Sequence, residues 1–318
     1  MSHQTTLYPE IEPFDSGHLP VDERHQIYWE QCGNPDGVPV LFIHGGPGGG
    51  ISPHGRRFFD PKVYRIILVD QRGAGKSIPL GELESNTTQH LIEDFELLRQ
   101  KFDIEKWILF GGSWGSTLSL LYAQAHPECC LGLVLRGIFL CRPDELRSFY
   151  QNGRYFKPAE WAALTARLSE EEKSDVINAY HKRLLDPDES IRKAAAYDWS
   201  VYEGTCATLL PNADVVAEFA GGDFSYAIAR IETHYFANNC FLEENQILRY
   251  IDQIRHLPCE IVHGAYDIVC PPTSAYELAQ AWPEATYHVI SDAGHSSSEP
   301  GIQAALVQAM EKMKTIVK

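Results

Sequence analysis

A chain of 318 residues, 44% hydrophobic and 22% charged, has ordinary globular composition and length enough to bury most of its apolar surface, which excludes a disordered chain. Its 27 Lys and Arg against 43 Asp and Glu leave a formal net charge of −16. That field repels phosphate backbones and anionic headgroups, so neither nucleic acid nor a membrane surface is expected as a partner, and a cationic or neutral small substrate suits it better.

Residues 11–34 hold two short half-polar strands, around FDSGHLPVD and HQIYWEQCG. VPVLFIHGG (38–46) is a continuous apolar run ending in glycine, the pattern of a buried parallel strand, and RIILVDQRG (65–73) is a second. In TTQHLIEDFELLRQKF (87–102) the apolar residues fall at 91, 92, 95, 97, 98 and 102, which is helical spacing with Thr87 or Thr88 as cap. The sequon Asn86-Thr87-Thr88 reads as loop. KWILFGGS (106–113) is a third buried strand that leads at once into the helix STLSLLYAQAHP, and LGLVLRGIFL (131–140) is a fourth. Such alternation predicts βαβ units and an α/β fold with a largely parallel sheet.

The character changes near residue 141. From there to about 245 the chain is charged, rich in Trp and Tyr, and reads as helices: 143–153, 159–185, 189–210 and 223–239. Strands resume at CEIVHGAYD (259–267) and ATYHVISDAGH (285–295), and PGIQAALVQAMEKMKTIVK (300–318) is a closing helix. One α/β domain interrupted by a helical insertion is the simplest architecture.

The eight cysteines form no C-x-x-C pair and no zinc-like cluster with histidine, so reduced, scattered thiols are expected, with no metal and no cofactor. The start, MSHQTTLYPEIEPFDSGHLP, lacks a basic stretch followed by an apolar run, and no segment of about 18 apolar residues occurs. A soluble, cytoplasmic protein is expected; oligomeric state is not legible.

Gly111-Gly112-Ser113-Trp114-Gly115 satisfies G-x-S-x-G between a buried strand and a helix, the setting of a nucleophile elbow. A serine nucleophile needs a base within reach and a third group to orient that base. Asp267 and His295 each follow a late strand, which gives the order Ser113…Asp267…His295; Asp292, three residues from His295, is the less favoured orienter. Backbone N–H groups of Trp114 and of Gly45 or Gly46, in the loop His44–Gly50, would form the oxyanion hole. Gly73-Ala74-Gly75-Lys76-Ser77 ends like a phosphate loop, but Asp70 stands where that motif needs glycine, and H-E-x-x-H is absent.

Together, HGGPGGG (44–50), DQRGAGKS (70–77), NTT (86–88), GGSWGSTLSL (111–120) and DAGH (292–295) resemble the proline iminopeptidases, or prolyl aminopeptidases, over nearly the whole chain. The resemblance implies an α/β-hydrolase-fold serine peptidase, with a catalytic core over 1–140 and 246–318 and a helical cap domain over 141–245. It implies release of proline from peptides with a free amino-terminal proline, through a prolyl-enzyme intermediate. Glu203 and Glu232 match the cap glutamates that recognise the amino end, and Phe139 and Phe236 are similar in position to residues around the proline ring. The departures lie in the cap, around CRPDELRSFY and YEGTCATL. An esterase or lactonase would share the serine, aspartate and histidine but would need no carboxylate pair in the cap.

Overall fold

The apolar runs become the interior of one sheet. A computed structural model describes residues 6–316; the first five residues of the chain's start and the last two of its closing helix lie outside the described part. The strands are β1 (Asp15–Pro20), β2 (Gln26–Gly33), β3 (Val38–Ile43), β4 (Tyr64–Val69), β5 (Trp107–Gly112), β6 (Cys130–Arg136), β7 (Cys259–Gly264) and β8 (Thr286–Ile290). They form a single eight-stranded sheet in the order β1-β2-β4-β3-β5-β6-β7-β8. Only β1 with β2 and β2 with β4 pair antiparallel; every other pairing is parallel. Val40, Ile67, Leu109, Leu135 and Ile261 are wholly buried, as expected of parallel strands covered on both faces.

Two helical layers supply that cover. On one face lie α1 (Thr88–Lys101) and α2 (Trp114–Ala125), through Leu91, Phe95, Leu118 and Leu121. On the other, Ile302, Leu306, Met310 and Met313 of the closing helix, Pro300–Ile316, meet Phe58, Phe59 and Val134. Burying each such side chain contributes roughly 1.5–3 kcal/mol, so the sheet is a rigid platform for whatever its strand ends carry.

Between β6 and β7 the described residues contain helices and no strand: α3 (Pro143–Tyr150), α4 (Pro158–Leu164), α5 (Val176–Leu184), α6 (Glu189–Cys206), α7 (Ala213–Phe219), α8 (Gly222–Ala237) and α9 (Gln246–Arg249). The structure departs from expectation in several places. The strand expected through Leu140 ends at Arg136, because Gly137 at φ +55° turns the chain out of the sheet. The long helix expected over 159–185 is broken: Ser169 and Glu172 bond each other's backbone N–H reciprocally, and Asp175 caps α5. The sequence reading missed α7, capped by Asn212, and α10 (Pro272–Ala281), opened by consecutive prolines. Asn86 does lie in a loop, but it is buried and donates to the carbonyls of Arg72 and Glu82.

Candidate active site

The loops after β3, β5, β7 and β8 leave the sheet at its carboxyl edge, where ligands of open α/β sheets sit. Ser113 links β5 to α2 with φ 57° and ψ −125°, left-handed backbone that only a constrained L residue holds. A Cβ on Gly111 would fall 2.1 Å from the Gly115 oxygen, and one on Gly115 would fall 2.1 Å from that of Ile43. The turn therefore requires both glycines. Ser113 N–H donates to the Arg136 carbonyl at 2.8 Å, which ties the elbow to the neighbouring strand.

Asp267 and His295 meet: Nδ1 of the ring lies 2.7 Å from Asp267 Oδ2. The other carboxylate oxygen accepts from the N–H groups of Val269 (3.0 Å) and Cys270 (2.8 Å). Burial opposes ionisation of Asp267, but the facing His295, then His263 and the Cys270 N–H, hold its pKa below the ordinary carboxylate value. Asp292 is exposed. His263 lies 3.6 Å from Asp267 Oδ2; its Nδ1 accepts from Ile138 N–H, so its other nitrogen donates to the Cys270 carbonyl and the ring is neutral.

Ser113 is brought to the same cleft, but among the described residues no hydrogen bond joins it to His295. Its hydroxyl faces the Cys270 thiol, Oγ to Sγ 3.9 Å. His295 Nε2 instead accepts from Arg136 Nη1 at 3.1 Å. A guanidinium only donates, so the ring proton resides on Nδ1, pointed at Asp267. That is the tautomer a general base needs.

The loop 44–50 presses on the elbow: a Cβ on Gly45 would stand 3.3 Å from Ser113 Cβ, and Gly46 lines the same pocket as Ser113. His44 Nδ1 donates to the Gly45 carbonyl while Nε2 accepts from Gln71 N–H, and burial pushes its pKa down to about 4, so it is neutral. Gln71 accepts from the Trp114 indole N–H at 2.9 Å, and Asp70 accepts from the N–H groups of Ile51 and Lys76. The DQRGAGKS segment is thus a clamp on the glycine loop; it forms turns and opens no helix. Trp114 begins α2, where helix N–H groups lack intrahelical acceptors.

One side of Ser113 opens into a narrow apolar pocket. Phe139 and Phe236 meet edge to face there, centroids 5.9 Å apart, beside Tyr150 and Cys270. Glu203 of α6 and Glu232 of α8 form its polar end. Glu232 accepts from the Trp199 indole N–H at 2.6 Å, and Glu203 Oε2 is buried without a partner. Burial is the largest influence on both carboxyls, and the charge of Glu203 adds to it at Glu232: both pKa values are raised, that of Glu232 well above its ordinary value.

Ser113, His295, Gly45, Gly46, Glu203, Glu232, Phe139 and Phe236 line the pockets that meet at Ser113, and Asp267 is joined to them through His295. Reasoning from sequence missed Arg136, Tyr150, Trp199 and His263, which carry no spacing signature; the DQRG run stands out in the sequence, and its clamping contacts do not. Among the described residues no group of His, Cys, Asp and Glu could hold a metal ion, and no helix is long and apolar enough to cross a membrane.

Comparison with known proteins bears on the fold and the family. A family model described as α/β hydrolase fold matches residues 38–301. The chain is 51% identical to a proline iminopeptidase of Arabidopsis thaliana, covering 99% of this chain and 84% of the relative. It is 50% identical to a proline iminopeptidase of Xylella fastidiosa (strain Temecula1), covering 96% and 98%. A solved structure of a proline iminopeptidase-related protein from Thermus thermophilus superposes with TM-score 0.62 at 22% identity, over 95% of this chain and 98% of that one; it bears on the fold alone. On the strength of the near-complete relatives, this chain belongs to the proline iminopeptidase family of α/β-hydrolase-fold enzymes.

Proposed function

We propose that the chain is a serine exopeptidase that releases amino-terminal proline from peptides through Ser113, His295 and Asp267. Residues 1–140 and 246–318 are the catalytic core in this reading, and 141–245 are a helical cap that reads the amino end. His295 takes the Ser113 proton at Nε2 while Oγ attacks the proline carbonyl, and the oxyanion rests on the amides of Trp114 and of Gly45 or Gly46. His295 then protonates the leaving nitrogen, the C–N bond breaks, and water hydrolyses the prolyl ester to regenerate Ser113. Asp267 keeps the ring in its Nδ1–H form and stabilises the imidazolium. The eight free, buried cysteines suit a reducing compartment such as the cytoplasm.

The observation that carries this reading is the buried Glu203–Glu232 pair facing an apolar pocket beside a strained serine. An esterase has no use for two carboxyls held against their desolvation cost, whereas a protonated secondary amine supplies both charge and N–H donors to them. A panel of aminoacyl-2-naphthylamides tests it. Proline should be released far faster than other residues, and N-acetyl-proline not at all; equal cleavage of the blocked substrate would refute the exopeptidase assignment.

A further inference from the structure

Ser113 also borders a wider, open cavity whose wall includes His295, Ser296 and Arg136. Arg136 is the one Lys or Arg in that wall among the described residues. The buried arginines among the described residues are locked by carboxylates, Arg56 to Glu30 at 2.7 Å and Arg72 to Asp94 at 2.7 Å and Asp22 at 2.6 Å. Arg136 has no such partner. Its hydrogen bonds run from Nη1 alone, to His295 Nε2 (3.1 Å) and the His295 carbonyl (3.0 Å). Nε and Nη2 have no acceptor among the described residues, and the guanidinium lies against Gly112, where a Cβ would come 2.4 Å from Nη2. Arg136 is half-buried, so its unused N–H donors remain open to a ligand in the cavity.

We propose that Arg136 binds the α-carboxylate of the residue that follows proline, which makes prolyl dipeptides the preferred substrates of this cleft. The proposal rests on the reading of Ser113 and His295 given above. To be protonated as it leaves, the scissile nitrogen must come to His295 Nε2, and Nη1 already stands 3.1 Å from that atom. In a dipeptide the carboxylate is separated from the scissile nitrogen by a single carbon, so it arrives within reach of the guanidinium fork. In a longer peptide the same place is taken by a neutral amide, which accepts more weakly. A carboxylate that draws Nη1 to itself also takes it off Nε2 and frees that lone pair for the Ser113 proton.

The test compares kcat/KM for Pro-Gly and its amide, Pro-Gly-NH2, with Pro-2-naphthylamide as a leaving group that has no carboxylate. Wild-type enzyme should prefer the free dipeptide on the order of tenfold, the gap between charge-assisted and neutral hydrogen bonds. Arg136→Gln should bring the two within about twofold of each other, whatever it does to absolute rates through its contact with His295, and Arg136→Lys should restore part of the preference. Equal rates for the two substrates in wild-type enzyme, or a preference unchanged in Arg136→Gln, would overturn the assignment while cleavage of Pro-2-naphthylamide left the aminopeptidase reading standing. Failure on all three substrates would overturn both.

Discussion

Replacing Glu203 by Gln should damage function and improve stability at once. Glu203 Oε2 is buried and unpartnered, and the raised pKa values of Glu203 and Glu232 mean that the folded state retains a proton the unfolded chain releases above its ordinary pKa of about 4.3. Stability from this pair is therefore present at low pH and lost as pH rises past that value. The introduced amide would carry no charge and could donate its N–H to Glu232. The gain should be about 1–3 kcal/mol at pH 8, the usual penalty of an unsatisfied buried polar group, and near zero at pH 4. With an unfolding entropy of roughly 2.1 cal/mol/K per residue, this is a rise in Tm of about 1.5–4.5 °C. The substrate amine loses a charged acceptor at the same time, worth roughly 1.5–3 kcal/mol, so kcat/KM on Pro-2-naphthylamide should fall about 10- to 100-fold. Calorimetry at pH 4 and 8 alongside steady-state kinetics reads both. A variant with full activity, or one whose Tm drops at pH 8 with its fold intact, would refute the account of the pair.

Ser113→Ala should lose on the order of 10⁴-fold or more in kcat with no change in circular dichroism, and Asp267→Asn should lose a comparable amount by reversing the His295 tautomer; the assignment fails if Asp292→Asn is the damaging change instead. Cys270 lines the pocket with its thiol pKa pushed well up by burial, so bulky thiol reagents should inactivate slowly and Cys270→Ala should resist them while remaining active; equal inactivation of that variant would place the reactive thiol elsewhere. Burial pushes Asp70 up to about 6 against its hydrogen bonds from Lys76 and Ile51. Asp70→Asn should therefore cost about 1–3 kcal/mol at pH 8, where an amide NH₂ faces a backbone N–H, and much less at pH 5, where Asp70 is itself protonated; a denaturant melt at the two pH values checks it.

The parts of the site readable from sequence are those whose chemistry and chain position coincide. Ser113 is marked by two glycines that steric contact makes obligatory, and Asp267 and His295 follow strands whose apolar runs are plain. Glu203 and Glu232 look like any acids on amphipathic helices; nothing local distinguishes a buried pair from two solvated ones, and only the family resemblance supplies them. Arg136 reads as the end of an apolar run, because its meaning comes from His295, 159 positions away. The helix over 159–185 reads too long because apolar periodicity continues through it, while Ser169, Glu172 and Asp175 break it by capping.

The helix bearing Glu232 is fastened to the sheet domain from several directions. Tyr235 donates to Asn86 Oδ1, Arg230 to the Gly81 carbonyl, and Thr88 to the Cys240 carbonyl just beyond the helix end. The helix bearing Glu203 packs mainly on α8, α7 and α5. Transplanting the inserted helices into another hydrolase, in the hope of conferring recognition of an amino end, therefore requires the receiving scaffold to provide the 81–88 segment as well. Without that socket Glu232 loses its reference to the serine, and one half of the amine's binding site would arrive in the wrong place.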